Sequence, residues 1–186
     1  MSKKVLVPMS NGFEETEAVA MIDVMRRAGL EVTIAAVGDE CTLTGANAIV
    51  LVADTTLAAI ESESFDFIAL PGGHENAMTL GSDARVQAML KAHAAANKPL
   101  GAICAAPTAL HAAGLIEGAY TCYPGYEGQI NPAHLVADQK VVINGNIITS
   151  RGPGTALCFG LAIVRLLVGE ETAQQLQTGM LIGACA

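Results

Sequence analysis

Cys104 stands where a short apolar run meets the start of a helical pattern. The run Pro99-Leu100-Gly101-Ala102-Ile103 ends on it, and Ala105-Ala106-Pro107 then open a helix, with proline where a first-turn proline is tolerated. Gly101, Ala102, Ala105 and Ala106 are all small. A strand–nucleophile–helix turn needs such neighbours, because the chain folds back sharply and other backbone must come close, as in the nucleophile elbow of hydrolases. A thiol at a helix N-terminus feels the positive end of the dipole and free N–H groups. Both favour the thiolate, the nucleophilic form, and the same N–H groups can stabilise an oxyanion. The position also suits a buried structural cysteine that closes a core strand.

Two other kinds of group could join such a thiol. Glu14, Glu15 and Glu17 lie at the start of the first helix, where the dipole favours acidic residues. Glu14 and Glu17 are three apart and share a face. A glutamate turned toward the sheet end would be buried, its pKa would rise, and it would become a candidate acid/base. Gly72 and Gly73 follow a strand, and glycines there let backbone N–H groups point into a site, although Gly-Gly also serves plain turn geometry. Ser150-Arg151-Gly152-Pro153-Gly154-Thr155 joins a strand to a helix; Ser150 or Arg151 could face a ligand, or the segment could simply start the helix.

The remaining cysteines carry less. Cys158 sits beside Leu157 and Leu161 on a helix face and reads as core packing; Cys41 and Cys122 fall in loop-like stretches and Cys185 near the tail. Five is an odd number and no CxxC occurs, so the sequence suggests neither a disulfide framework nor a zinc site, and His74, His93, His111 and His134 show no ligand spacing. Most of these cysteines are expected to be reduced thiols, as in a cytoplasmic protein.

The elements that must position these groups alternate. Strands are predicted over 5–9, 31–37, 48–52, 65–70 and 99–103, and helices over 14–28, 83–96, 106–113, 155–168 and 171–181. Gly29 stops the first helix. Residues 123–132 form a turn-rich loop, and a hairpin turns at Asn144-Gly145-Asn146 between strands 141–143 and 147–149. Such βα alternation predicts a mainly parallel sheet covered by helices on both faces, with its site at the carboxyl ends of the strands.

The bulk numbers agree with one α/β domain over 1–186: apolar residues make up 52% and charged residues 15%. No apolar run reaches the roughly 18 residues a spanning helix needs, so no membrane partner is expected. A formal charge of −8 argues against a nucleic-acid partner, and Arg26-Arg27 is the one basic doublet besides Lys3-Lys4. Asn11, Glu14 and Glu15 interrupt the N-terminal apolar run too early for a signal peptide, which points to the cytoplasm.

Together these segments resemble the ThiJ/PfpI superfamily, in its DJ-1/YajL-like branch. The residues that carry the resemblance are Gly12-Phe13-Glu14-Glu15-Thr16-Glu17, Asp23-Val24-Met25-Arg26-Arg27-Ala28-Gly29, Leu70-Pro71-Gly72-Gly73, Ala102-Ile103-Cys104-Ala105-Ala106-Pro107 and Thr149-Ser150-Arg151-Gly152-Pro153-Gly154-Thr155, in the family's order along nearly the whole chain. The resemblance implies a flavodoxin-like three-layer sandwich that forms a homodimer and uses neither cofactor nor metal. It makes Cys104 the nucleophilic, oxidation-sensitive cysteine and Glu17 the protonated carboxyl beside its thiolate. Gly73, after Gly72, and Ala105 would supply N–H groups to an oxyanion pocket bordered by Ser150 and Arg151. The implied activities are glyoxalase or deglycase action on small carbonyl substrates, with redox sensing or chaperoning in oxidative stress as the non-enzymatic alternative. Three positions depart from the family pattern. Ala105 replaces the histidine of protease-like members, which argues against a peptidase. Tyr123 replaces the loop histidine of many glyoxalases and takes its place as the third candidate catalytic residue, able to hydrogen-bond but a poor base near neutral pH. Asn47 stands where some members place an anion-binding arginine.

Overall fold

The computed structural model describes residues 2–185. Its central sheet has seven strands in the order β5-β2-β1-β6-β7-β9-β8. These are β1 (Lys4–Met9), β2 (Glu31–Ala36), β5 (Thr55–Thr56), β6 (Phe67–Leu70), β7 (Leu100–Ile103), β8 (Val141–Asn144) and β9 (Ile147–Ser150). All pairings are parallel except the β8–β9 hairpin. Leaving out the two edge strands, the order is that of flavodoxin-like sheets, and the reversal falls between β1 and β6.

The strands are apolar on both faces because both faces are covered. Val5, Val7, Phe67, Ala69 and Ile103 turn to one layer, formed by α1 (Glu15–Arg27), α5 (Ala156–Leu167) and α6 (Glu170–Gly179). Leu6, Ile68, Leu70, Leu100 and Ala102 turn to the other, formed by α2 (His74–Ser82), α3 (Ala84–Ala95) and α4 (Pro107–Ala112). This period-two division is what a doubly covered parallel sheet imposes on its strands, and the molecule is the expected three-layer α/β sandwich.

Three local readings of the sequence differ from the structure. Residues 74–82 form a helix, α2, that the apolar pattern did not reveal; Asp83 is extended and caps α3 by accepting from Arg85 and Val86 N–H, so two helices abut where one was predicted. The strand predicted over 48–52 is reduced to β4 (Val50–Val52), which pairs with β3 (Thr42–Thr44) in a separate two-stranded ribbon. Cys158 and Cys185 are joined by a disulfide, contrary to the expectation of core packing and a free tail thiol. The C-terminal segment folds back over the first turn of α5, bringing Cα atoms 27 residues apart to 5.3 Å. Cys41, Cys104 and Cys122 are the free cysteines among the described residues.

Candidate active site

β1, β6 and β7 all end at the same edge of the sheet, and each delivers one part of the site. After β7, Cys104 takes φ +65°. A non-glycine residue in that region costs about 1–2 kcal/mol, so the surroundings must hold it. The Cys104 N–H donates to the Ser150 carbonyl at 3.0 Å, and the Tyr123 N–H donates to the Cys104 carbonyl at 2.9 Å. The side chain is left 8% exposed.

After β6, Pro71-Gly72-Gly73 makes the facing wall. Gly73 has φ +89°, and a Cβ there would lie 2.1 Å from the Gly12 carbonyl oxygen. At Gly72 a Cβ would lie 2.5 Å from Glu17 Oε2 and 2.6 Å from Cys104 Cβ. Both glycines are therefore required by close approach. Asn76, fully buried in the first turn of α2, locks this wall: its Nδ2 donates to the carbonyls of Pro71 and Gly72, and its Oδ1 accepts from the Ser10 N–H at 2.8 Å.

From α1 comes Glu17, with no solvent exposure. Its Oε2 accepts the Gly72 N–H at 2.9 Å. Among the described residues Oε1 has no hydrogen-bond partner, and the Cys104 side chain lies beside the carboxyl group at Gly72. Burial pushes Glu17 from 4.5 up to about 7, opposed by the Cys104 thiol and the Gly72 N–H and reinforced by the charge of Glu14. The thiol does not follow the helix-terminus argument: burial and then the charge and hydrogen bond of Glu17 push it up, while the N–H groups of Gly73 and Ala105 pull it down. The pair therefore rests as thiol and carboxyl(ate). Moving the thiol proton to Glu17 removes the carboxylate charge and leaves two N–H groups on the sulfur.

The other glutamates have separate tasks. Glu14 caps α1, accepting the Glu17 N–H at 2.7 Å. Glu15 is buried and accepts from Asn47 N–H at 2.6 Å and Asn47 Nδ2 at 2.9 Å. Asn47 thus secures the turn between β3 and β4 to α1.

On the far side the structure redistributes the predicted roles. Ser150 reaches the site through its backbone carbonyl; its hydroxyl turns to the Lys140 carbonyl and Thr155, both at 2.8 Å. Arg151 is half-buried and donates to the Cys122 carbonyl at 3.3 Å. Tyr123 serves through its N–H, and its 46% exposed ring lies against Gly152. Two side chains that the sequence did not single out complete the surroundings. Tyr126 packs against the cluster that contains Cys104 and Ala105, and its hydroxyl lies 2.8 Å from His74 Nδ1. Asn76, His74 and Tyr126 carried no motif of their own; an Asn at the third position of a helix after Gly-Gly is the one local signal of a locked turn.

A cavity of about 420 Å³ beside the site is bordered by Gly12, Thr44 and His74, whereas one of about 570 Å³ between α3 and residues 57–65 is remote from Cys104. No three His, Cys, Asp or Glu side chains among the described residues group as a metal site, and no described helix is long and apolar enough to cross a membrane.

With this geometry in place, comparison with known proteins is informative. The model of the DJ-1/PfpI family matches residues 3–166. Protein DJ-1 homolog B of Arabidopsis thaliana is 41% identical over 182 residues, covering 96% of this chain and 41% of that protein, so the chain spans less than half of that relative. A Caenorhabditis elegans protein named glutathione-independent glyoxalase DJR-1.2 is 34% identical over 176 residues, covering 94% of this chain and 93% of that one. The structure of oxidized Toxoplasma gondii DJ-1 superposes with a TM-score of 0.94 at 36% identity, covering 98% of this chain and 100% of that one.

Proposed function

Because the chain belongs to the DJ-1/PfpI family, we propose that it is a cysteine-dependent enzyme acting on small reactive carbonyls such as α-oxoaldehydes and their early adducts. The observation that carries this reading is the buried Cys104–Glu17 pair, with Gly73 and Ala105 N–H groups on the sulfur. A carboxyl with a pKa of about 7 is matched to proton transfer near neutral pH.

With methylglyoxal the steps are as follows. Glu17 carboxylate takes the Cys104 proton as the sulfur bonds to the aldehyde carbon, and returns it to the aldehyde oxygen, giving a hemithioacetal. Glu17 then removes the proton from that carbon, and the electron pair forms an enediolate with the adjacent ketone. Returning the proton to the second carbon, while the hydroxyl proton on the first carbon's oxygen passes to the second oxygen, leaves a 2-hydroxy thioester. Water cleaves this to lactate and restores the thiol. The Gly73 and Ala105 N–H groups steady the anionic sulfur. The activity in the name of the C. elegans relative supports this reading. The test is lactate formation from methylglyoxal without glutathione; turnover that survives Cys104→Ser would sink it.

The same cradle favours a second reading as an oxidative-stress sensor. Cys104 thiol and one peroxide give the sulfenic acid and water; a second peroxide gives the sulfinic acid and water. The two N–H groups and protonated Glu17 would hold the sulfinate. Intact-mass measurement after mild peroxide should place two oxygens on Cys104, and oxygen arriving first elsewhere rejects it.

Self-association belongs to the same proposal. Ile49, Val50 and Val52 are 60%, 58% and 66% exposed on the β3–β4 ribbon, an apolar strip suited to a second copy. Val50→Lys with Val52→Lys should yield monomers in sedimentation if the strip is the contact.

A further inference from the structure

His74 and Tyr126 come from opposite walls of the site. His74 immediately follows Gly73, whose N–H reaches the Cys104 sulfur. Tyr126 lies three residues beyond Tyr123, whose N–H holds the Cys104 carbonyl, and its own N–H donates to the Tyr123 carbonyl at 3.2 Å. The hydrogen bond between the two side chains, 2.8 Å, therefore joins the two walls that flank Cys104. The rings meet at 6.0 Å and 51°, so the contact is polar and tilted rather than stacked. Tyr126 is half-buried and packs against the core cluster that contains Cys104, while His74 is exposed. Burial and then the charge of Cys104 push the Tyr126 hydroxyl up, which keeps it protonated.

We propose that Tyr126 is a further catalytic residue, donating a hydrogen bond from its hydroxyl to the second carbonyl oxygen of an α-oxoaldehyde bound at Cys104, and that His74 is a positioning residue which acts through it. The inference rests on the carbonyl-processing reading above. Enediol formation places new charge on the ketone oxygen, which Gly73 and Ala105, aimed at the sulfur, do not cover. When Tyr126 donates to that oxygen, the Nδ1–H tautomer of His74 donates to the phenol oxygen, fixing its direction and strengthening it as a donor. The exposed imidazole can exchange its other proton with water.

The test is steady-state kinetics with methylglyoxal on the full chain. Tyr126→Phe keeps the ring and is expected to lower kcat by at least about 10-fold with little change in KM, since loss of one oxyanion donor costs roughly 100-fold or more in well-ordered sites. His74→Ala should lower kcat similarly, His74→Asn should restore much of it because the amide replaces Nδ1, and His74→Ala should add little in the Tyr126→Phe background. A merely structural clasp would show no kcat-specific loss and no rescue by asparagine. Wild-type turnover with Tyr126→Phe unchanged overturns this inference alone; a wild-type chain that makes no lactate overturns the carbonyl reading and this inference with it.

Discussion

Glu17 meets Cys104 at Gly72: one carboxylate oxygen takes the Gly72 N–H at 2.9 Å, the other has no hydrogen-bond partner among the described residues, and the Cys104 side chain lies alongside. The carboxyl is fully buried and its pKa stands at about 7 instead of 4.5. Below pH 4.5 it is protonated whether the chain is folded or not. Between 4.5 and 7 the unfolded chain releases this proton and the folded one keeps it, so ionisation favours unfolding as the pH rises. The group thus contributes stability at low pH that is lost by about pH 7, on the order of 3 kcal/mol. Urea midpoints of wild type and Glu17→Gln, compared from pH 4.5 to 8, should show the wild type losing stability relative to the variant as pH rises. Parallel curves would mean the carboxyl is not held protonated.

The coupling also predicts how Cys104 reacts. When the pair has lost one proton, that proton can sit on either group, and a small fraction of the pair is always thiolate with protonated Glu17. Iodoacetamide labelling of Cys104 should rise with pH through about 7 and then level off. In Glu17→Gln the step near 7 should vanish and a single rise should appear at higher pH, because burial still opposes a charged sulfur. A profile unchanged by the substitution would dissolve the pair.

Much of this site was legible in the sequence because its constraints are local. The small residues around Cys104, the acidic start of α1 and Gly72-Gly73 each announce a tight turn or a buried terminus without reference to the rest of the chain. The layers were legible for a related reason: apolar runs of strand length alternate with helical patterns. What was hidden depends on contacts distant in sequence. The raised thiol follows from burial and then from Glu17, 87 positions away along the chain. Asn47 looks like a vacant anion site until Glu15 is seen to hold it. α2 buries Asn76, Ala77 and Leu80, and a buried asparagine breaks the apolar stripe that would have revealed the helix.

Gly72 should be among the least replaceable residues. Gly72→Ala places a methyl group 2.5 Å from Glu17 Oε2, 2.6 Å from Cys104 Cβ and 3.0 Å from the Ile103 carbonyl oxygen. Ile103 O belongs to a central strand and cannot retreat. Overpacking of this kind costs about 1–3 kcal/mol, and relief by moving Glu17 would break its bond to residue 72. Denaturant melts should show a loss in that range, and lactate formation should fall with it. A stable, fully active Gly72→Ala would show that the three groups are less closely packed than described.

The Cys158–Cys185 bond makes a prediction that leaves the chemistry aside. It closes a loop across 27 residues that includes most of α5 and all of α6. Cross-linking a segment of that length restricts the unfolded chain by about 3–4 kcal/mol, with measured values often lower. Cys158 lies in the first turn of α5, just after the Ser150–Thr155 segment that supports the elbow, while the Lys140 side chain contacts the Ala184 carbonyl from the neighbouring hairpin. The bond therefore anchors the tail close to the wall of the site without touching Cys104. Cys185→Ser should lower the denaturant midpoint by an amount equivalent to about 2–4 kcal/mol, and dithiothreitol should lower the wild type to the same level while leaving the variant unmoved. Labelling of Cys104 should stay at the wild-type rate in the folded variant. Equal midpoints for wild type and Cys185→Ser under oxidising conditions would show that the bond does not form in solution. A changed Cys104 rate would show instead that the tail restrains the elbow through Lys140.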